Sequence, residues 1–563
     1  MAISFLRMTS IAVPAMLLAM SVAAADNDEH PGPWIRPNTS GVMITQSIRN
    51  GSLESLRDIV VRPADFQKGP RVLPIDRIPG PGHGGASASH AMAADTLSGE
   101  RVVQRQVHAA GALAVTPGSN VLGVGLGFAG PSGKFNVYYA PPDTDGAVGD
   151  LQYVQLVNTG IAVFDKTTKA VLFGPVPTNS LWQGFGGPCE SDDNGDGTVV
   201  YDKAAKRWII SQFAIDQTPM VQCVAVSKTA DATGGWWLYA FTPTGTDFPD
   251  YPKLGVWPDG YYETYNMFGQ SFDGAQLCAY DRAKMLVGAP ASQQCFQLAS
   301  DFGGVLPADV DSAMPPPAGS PNYLVDIDET GPGPASDTLN LWKFHVDWTD
   351  PGKTTLSVPT KIAVATYTGA CNWSSTDCIK QKSAPLNGLD ALGDRMMFRL
   401  AYRNFGTHES LVAVHSIDLG TNNRNASTGV RWYEIRSPGT VPVVYQQSTY
   451  APDATYRWMP SIAMDKQGDI AIGYSGSGST SNPSIRYAAR LASDPLNTMN
   501  PEIIVHTGAG AERIGLARWG DYSGMSVDPT DDCTFWYTNE YEPANGDFNW
   551  ATRLGSFRFP TCN

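Results

Sequence analysis

Two Asp-Tyr dipeptides, Asp250-Tyr251 and Asp521-Tyr522, each stand just ahead of a short apolar run. Glu263 and Glu540 are further carboxylates, each beside a Tyr. Glycoside cleavage needs two carboxyl groups, about 5–5.5 Å apart when configuration is retained and wider when it is inverted. Turns from distant stretches can supply such a pair if the fold brings them to one place. His408-Glu409 follows the loop Arg403-Asn-Phe-Gly-Thr407 and offers a second chemistry. A His, a Tyr and an Arg together can abstract the proton beside a uronate carboxylate, which is lyase chemistry. Arg457, Trp458 and Trp519 would supply a cation and stacking faces for a sugar, with Trp182, Trp257 and Trp550 as other aromatics near polar loops. The candidate catalytic set is therefore Asp250, Tyr251, His408, Asp521, Tyr522 and Glu540. The structural alternative is that the Asp residues cap turns by accepting from backbone amides and that His408 is an ordinary loop histidine.

Asp192-x-Asn194-x-Asp196-Gly197 has the spacing of a calcium loop, in which alternate oxygens converge on one hard cation. Lys203 stands where the EF-hand requires Glu, which excludes that motif. Asp143-x-Asp145-Gly146 is a shorter version. Calcium is thus the one cofactor candidate. The chain has no HExxH, CxxC, P-loop or dinucleotide fingerprint, and Gly473-Tyr-Ser-Gly-Ser477 lacks the final Gly of a nucleophile elbow.

These candidates need a scaffold of short strands. The chain has 563 residues, with 57 Gly, 42 Pro, 17% charged and 10% aromatic residues. Such frequent backbone breakers exclude long helical bundles, and the aromatic content excludes a disordered chain. From about residue 140 a hairpin unit recurs: Gly146–Asn158, Gly197–Phe213, Asp250–Tyr265, Leu389–Tyr402, Pro460–Tyr474 and Gly524–Tyr537. A seventh unit fits Asn322–Asp326 with Leu339–Val346. Further strands follow most copies, as in Gln222–Val226 with Trp236–Phe241 and Leu411–Ile417 with Val430–Ile435. Four strands per copy make a propeller blade. The expected fold is all-β, a β-propeller of seven four-stranded blades, with six or eight open and a β-sandwich as the other architecture. The expected organisation is a signal peptide over 1–25, an irregular N-terminal extension and linker over 26–139, and the propeller over 140–563. Short strands are expected near Val102–Val107 and Val121–Leu126.

Asp143-Thr-Asp-Gly146 with Tyr153–Asn158, Asp250–Tyr262, and Arg518–Ser523 running into Phe535–Glu540 resemble the sialidase-like (BNR-type) propellers of secreted bacterial proteins. The resemblance implies a glycan-active or glycan-binding propeller. It departs from true sialidases at two points. Arg77-Ile78-Pro79 follows Asp76 in place of an aromatic, and Ser191-x-Asp193-x-Gly195 begins an Asp box without its Thr-Trp end.

Export is expected from Arg7, the apolar stretch Ile11–Val22 and Ala23-Ala24-Ala25. No later apolar run is long enough to span a membrane. Eight cysteines, an even number, favour disulfides in an oxidising compartment. Sequential pairing is expected: Cys189–Cys223, Cys278–Cys295, Cys371–Cys378 and Cys533–Cys562. The formal net charge is −15, a balance that repels nucleic acid and anionic lipid. The expected partner is an extracellular polysaccharide or other glycan, with no nucleic acid and no membrane span in the mature chain. Localisation would be secreted, periplasmic or extracellular. The expected activity is binding and cleavage of that glycan by a hydrolase or lyase, with a non-catalytic adhesion module as the alternative.

Overall fold

The computed structural model describes residues 41–60, 70–73, 77–78, 102–106, 115–243, 245–328, 337–373, 378–420, 427–513 and 516–562. The expected signal segment and the Pro79–Gly85 linker lie outside these residues. Among the described residues the fold is all-β, built from antiparallel meanders.

The first meander is Asp145–Val148, Gln152–Val157, Gly160–Asp165 and Val171–Val176. The second runs Thr198–Asp202, Arg207–Ala214, Val221–Ser227 and Trp236–Phe241. The third runs Phe248–Val256, Tyr261–Phe268, Phe272–Tyr280 and Ser292–Gln297. Two more share one composite sheet. Leu306–Val310, which leads Asn322–Asp328 and Thr338–His345, pairs in parallel with Met397–Asn404, which leads Glu409–Asp418, Thr428–Arg436 and Val443–Tyr450. The last two begin at Tyr456–Met464 and Gly524–Val527.

The leading strands pack on one another in chain order, and Gly524–Val527 packs back on Asp145–Val148. Hydrophobic cores lie between successive sheets. Val154, Ile161 and Val163 meet Ile210, Val221 and Leu238. Tyr153 and Phe164 of the first sheet meet Trp536, Trp550 and Leu554 of the last. Both faces of each sheet are thereby covered, which explains why strands such as Ile470–Gly478 are buried at every position instead of alternating. Backbone amides on the leading strands find side-chain acceptors next door. Val199 N–H donates to Asp145 Oδ2 (2.8 Å), Val256 N–H to Asp309 Oδ1 (3.0 Å) and Met525 N–H to Ser461 Oγ (3.1 Å). An unsatisfied buried amide would be costly, so these Asp and Ser residues are structural.

Two expectations change. The unit placed at Leu389–Tyr402 is no hairpin: its strand starts at Met397, and 389–394 form a loop rich in acids. The extension before residue 140 is not merely a spacer. Met43–Gln46, Arg49–Leu53 and Val103–Gln104 add outer strands to three sheets, and Thr116–Leu122 supplies the outer strand of the last sheet. A strand from before the first sheet thus completes the final one, so the boundary at 139/140 cuts through a sheet.

All eight cysteines form the four sequential disulfides. Cys533–Cys562 closes a 29-residue separation at the C-terminal end. Replacing both by Ala is expected to cost about 2–4 kcal/mol, read by denaturant titration of the variant against the parent. No helix among the described residues is long and apolar enough to cross a membrane.

Candidate functional site

The segments just before the leading strands, or in their first turns of chain, gather a buried ionic cluster. Their backbones share an unusual feature: Asp143 (φ 41°), Asp196 (φ 50°), Tyr251 (φ 56°), Leu392 (φ 36°), Met459 (φ 48°) and Ala517 (φ 49°) are all left-handed. Non-glycine residues pay for that conformation and hold it where the surroundings fix it. In Phe248–Val256 the pairing slips between Asp250 and Lys253, so a bulge re-aims Tyr251 and Lys253.

The two Asp-Tyr pairs do meet. The Tyr251 and Tyr522 rings lie edge to face, 5.9 Å apart. The Lys253 ammonium sits against both, 3.8 Å and 3.7 Å from the ring centroids. It donates to Pro252 O at 2.9 Å and is fully buried. Arg395 lies over the Tyr251 ring at 4.7 Å and faces Asp250 Oδ2 at 3.7 Å. Arg518 pairs with Asp390 (2.6 Å) and Asp521 (2.7 Å). Asp521 N–H donates to Asp143 Oδ1 (2.7 Å), whose other oxygen accepts from Asn158 Nδ2 (2.6 Å). Asn158 Oδ1 in turn accepts from Asp196 N–H (2.9 Å). Residues 143 to 522 thus converge on one cluster.

Burial governs its protonation. Desolvation, then the charge of Asp250, pushes Asp196 up to about 7. Burial, then Asp521 and Asp196, lifts Asp143 well above the carboxylate range. Burial lifts Asp390 to about 7 although Arg518 opposes it. Desolvation lowers Lys253 to about 8 against the pull of Asp196, Asp143, Asp145 and Asp250. Burial raises the phenols of Tyr251 and Tyr522, so both are neutral donors near neutral pH and not bases.

Other expected residues lie elsewhere or are spoken for. His408 is on the loop after Met397–Asn404, stacked on Phe405 at 4.7 Å with Thr407 Oγ1 3.1 Å from its Nδ1. It is packed with its own loop, not with the Asp-Tyr pairs. Glu540 is buried, accepts from Gly520 N–H and is held well above the carboxylate range by desolvation. Glu263 is enclosed by Ser211, Gln222, Tyr265 and Tyr280. Arg457, Trp458 and Trp519 are fully buried. Arg457 is engaged by Glu502 and Asp453, and the Trp458 and Trp519 rings pack 5.5 Å apart in a core between sheets. Trp182, Trp257 and Trp550 are likewise buried. None presents a face to a sugar.

The calcium spacing does not gather its oxygens. Asp192 Oδ1 accepts from Ser191 and Gln217, Asn194 bonds Asp216 and Ile215, and Asp196 turns into the central cluster. Among the described residues no group of three or more His, Cys, Asp or Glu side chains is arranged to hold a metal.

Asp390, Lys253 and Arg395 were not singled out by sequence reasoning. Their signal was positional, since each lies within a few residues of the start of a leading strand. Along the same leading strands, a small cavity is lined by Asp145, Tyr201, Lys203, Asp311, Arg399 and Ser526. Its polar wall is neutralised where Arg399 pairs with Asp309 (2.8 Å) and Asp311 (2.9 Å).

No family model matches the chain, and no curated protein matches it. Among solved structures it is similar to the N-terminal domain of Nup159, at 8% identity and TM-score 0.34, over 81% of this chain and 99% of that one. It is similar to the α-L-arabinofuranosidase Arb93A from Fusarium graminearum, at 10% identity and TM-score 0.33, over 79% and 99%. It is also similar to the polysaccharide lyase Uly1, at 10% identity and TM-score 0.36, over 80% and 100%. None of the three is a sialidase, and at this level of identity and overlap none assigns an activity.

Proposed function

We propose that the chain is a secreted seven-bladed β-propeller that binds extracellular polysaccharide and cleaves it at one mouth of its ring. The seven meanders and the packing of the last leading strand on the first support the blade count. Four disulfides, expected in an oxidising compartment, support secretion. The observation that carries the site is the meeting of Asp250-Tyr251 with Asp521-Tyr522 around Lys253.

The cluster sets its acids in two settings, Asp196 raised by burial and Asp250 and Asp521 each against an arginine, and acid–base cleavage uses a proton donor beside a second carboxyl group. Asp196, with a pKa near 7, holds a proton that it can give to a leaving oxygen. Asp250 lies 3.7 Å from Arg395 and Asp521 2.7 Å from Arg518. One of them would serve as nucleophile or as base for water. The neutral Tyr251 and Tyr522 would donate to sugar hydroxyls. This arrangement supports hydrolysis over β-elimination, because the lyase set lacks a base: the tyrosines stay protonated and His408 lies in a separate loop.

The test is a panel of neutral and uronic polysaccharides, read by new reducing ends and by the absorbance of unsaturated uronates. Asp521→Asn and Asp250→Asn are each expected to lower cleavage at least about 100-fold, with the fold retained. The rate is expected to fall as pH rises through about 7, where Asp196 gives up its proton. New reducing ends that persist undiminished in both Asn variants would remove these residues from the chemistry. The non-catalytic reading is favoured by the burial of Arg457, Trp458 and Trp519. It predicts glycan retention on an affinity matrix with no cleavage by parent or variants.

A further inference from the structure

We propose that the protein holds a monatomic anion, of the class of chloride, on the buried guanidinium of Arg431 and the ring of His415, where the strands Glu409–Asp418 and Thr428–Arg436 meet the segment 364–367. The site shares no residue with the ionic cluster and does not depend on the polysaccharide reading.

Arg431 and His415 are direct cross-strand partners, so their side chains leave the same face of the sheet, about 5 Å apart at Cβ. Both are fully buried. Arg431 donates from Nε to Thr449 Oγ1 and from Nη1 to Ala365 O at 3.0 Å. Both acceptors are uncharged, and Nη2 has no hydrogen-bond partner among the described residues. His415 Nε2 lies 2.9 Å from Tyr433 Oη, and its Nδ1 likewise has no partner there. The Tyr433 and Tyr367 rings flank the imidazole, with centroids 5.7 Å and 4.7 Å away. Burial, then the nearby Arg431 charge, pushes the His415 pKa well below its usual value, so the ring is neutral. In the tautomer where Tyr433 O–H donates to Nε2, the ring proton sits on Nδ1 and is available to an acceptor.

The charge around Arg431 sets it apart from Arg395, Arg457 and Arg518. Those three are similarly buried, and each holds a carboxylate within 2.9 Å: Asp394, Glu502 and Asp390. Among the described residues no carboxylate pairs with Arg431, whose acceptors are a hydroxyl and a carbonyl. Asp337, whose charge reaches Tyr433, accepts instead from Tyr367 N–H at 2.7 Å. The Tyr433 phenol is not the counter-charge either: burial pushes it up to about 12 although Arg431 opposes this, so it keeps its proton. A buried charge without compensation is strongly destabilising, and a guanidinium cannot escape by losing its proton. A water would satisfy Nη2 but not the charge; an anion satisfies both. The surroundings set its size. Thr449, Tyr433, Ala365 and Tyr367 are each at most 6% exposed, so a monatomic ion enclosed as the chain folds suits this position better than a phosphate or an organic acid.

The experiment compares the full chain in sodium gluconate with the same protein in sodium chloride and in sodium bromide at equal ionic strength. Denaturant titration is expected to show both halides stabilising the parent, the unfolding constant falling about 10-fold once chloride stands at ten times its dissociation constant. Arg431→Met is expected to unfold alike in all three salts. Parent crystals grown in bromide and measured at the bromine absorption edge are expected to show an anomalous peak beside Arg431 Nη2. Equal unfolding of the parent in chloride and gluconate overturns the resident anion; a bromide peak in that case is binding at crystal concentration only. Density at Nη2 without an anomalous signal makes the occupant water and overturns it too. Halide stabilisation that persists in Arg431→Met places the ion elsewhere and overturns the assignment. If the variant does not fold, the parent alone decides: halide stabilisation together with the peak upholds the site, and the lack of either overturns it.

Discussion

Arg518→Met is expected to destabilise the protein by about 3–5 kcal/mol at pH 7.5, the cost of leaving buried charge without its partner. Arg518 is 5% exposed and its guanidinium serves three acceptors from separate stretches: Asp390, Asp521 and Leu73 O. Around it stand Asp143, Glu512 and Glu540, all held above the carboxylate range chiefly by desolvation. Removing Arg518 leaves Asp390 and Asp521 without the cation that they share in a water-poor interior. A methionine fills most of the volume, so a cavity is not the main cost. The loss is expected to shrink at pH 5, because Asp390, raised to about 7, then carries a proton and no longer needs a cation. Arg518→Lys should lie between the two, since a single ammonium cannot reach all three acceptors at once. Denaturant titrations of the three proteins at both pH values check this. A methionine variant within about 1 kcal/mol of the parent at pH 7.5 would show that the cluster is already neutral there.

The architecture was legible because its cause is local. Turn residues punctuate apolar runs at regular intervals, and five of the seven leading strands announce themselves this way, while Leu306–Val310 went unread ahead of the unit placed at Asn322–Asp326. Leu389–Tyr402 is informative: it carries the same apolar and acidic residues, yet Asp390 and Asp394 engage Arg518, Trp519 N–H and Arg395, so 389–394 stay a loop and the strand begins only at Met397. The outer strands at 43–53 were hidden, and Thr116–Leu122 was legible only at its end near Val121, because an outer strand needs only a free edge and shows little hydrophobic pattern of its own. Within the site, the Asp-Tyr pairs were legible from their shared position before a strand. Lys253 was not, since a lysine in sequence reads as surface and only the bulge at Asp250–Lys253 turns it between two rings. Arg457, Trp458 and Trp519 misled for the opposite reason. Aromatic and cationic residues beside polar loops look available, but packing one sheet on the next consumes them.

The same burial sets how stability responds to pH. Asp145 rises to about 6, Asp196 and Asp390 to about 7 and Glu512 to about 9, each chiefly by desolvation. Unfolded, these groups release their protons near pH 4. Between that value and the raised one the folded chain binds protons that the unfolded chain has lost. Stability must then fall as pH rises, by about 1.4 kcal/mol per pH unit for each such proton. Asp231, lowered to about 2, and Asp311, held low by Arg399 and Lys203 against its burial, act in the other direction. Their contribution is present above about pH 4 and is lost as pH falls below it. Lys253, lowered to about 8, costs stability at lower pH, and that cost is relieved as pH climbs from about 8 towards 10. These opposed windows place the maximum near pH 4.5–5, with about 3–4 kcal/mol lost on going to pH 7.5 for each proton the folded cluster holds across that range. Because the groups are buried, added salt should change this little. Asp196→Asn removes one of the titrating carboxyls and should flatten the slope by up to one proton's worth while leaving the acid limb below pH 4 in place. Unfolding midpoints measured from pH 3 to 9 decide the matter: stability that is flat or rising between pH 5 and 7.5 would mean that the cluster stays ionised, and Asp196 would then have no proton to give at neutral pH.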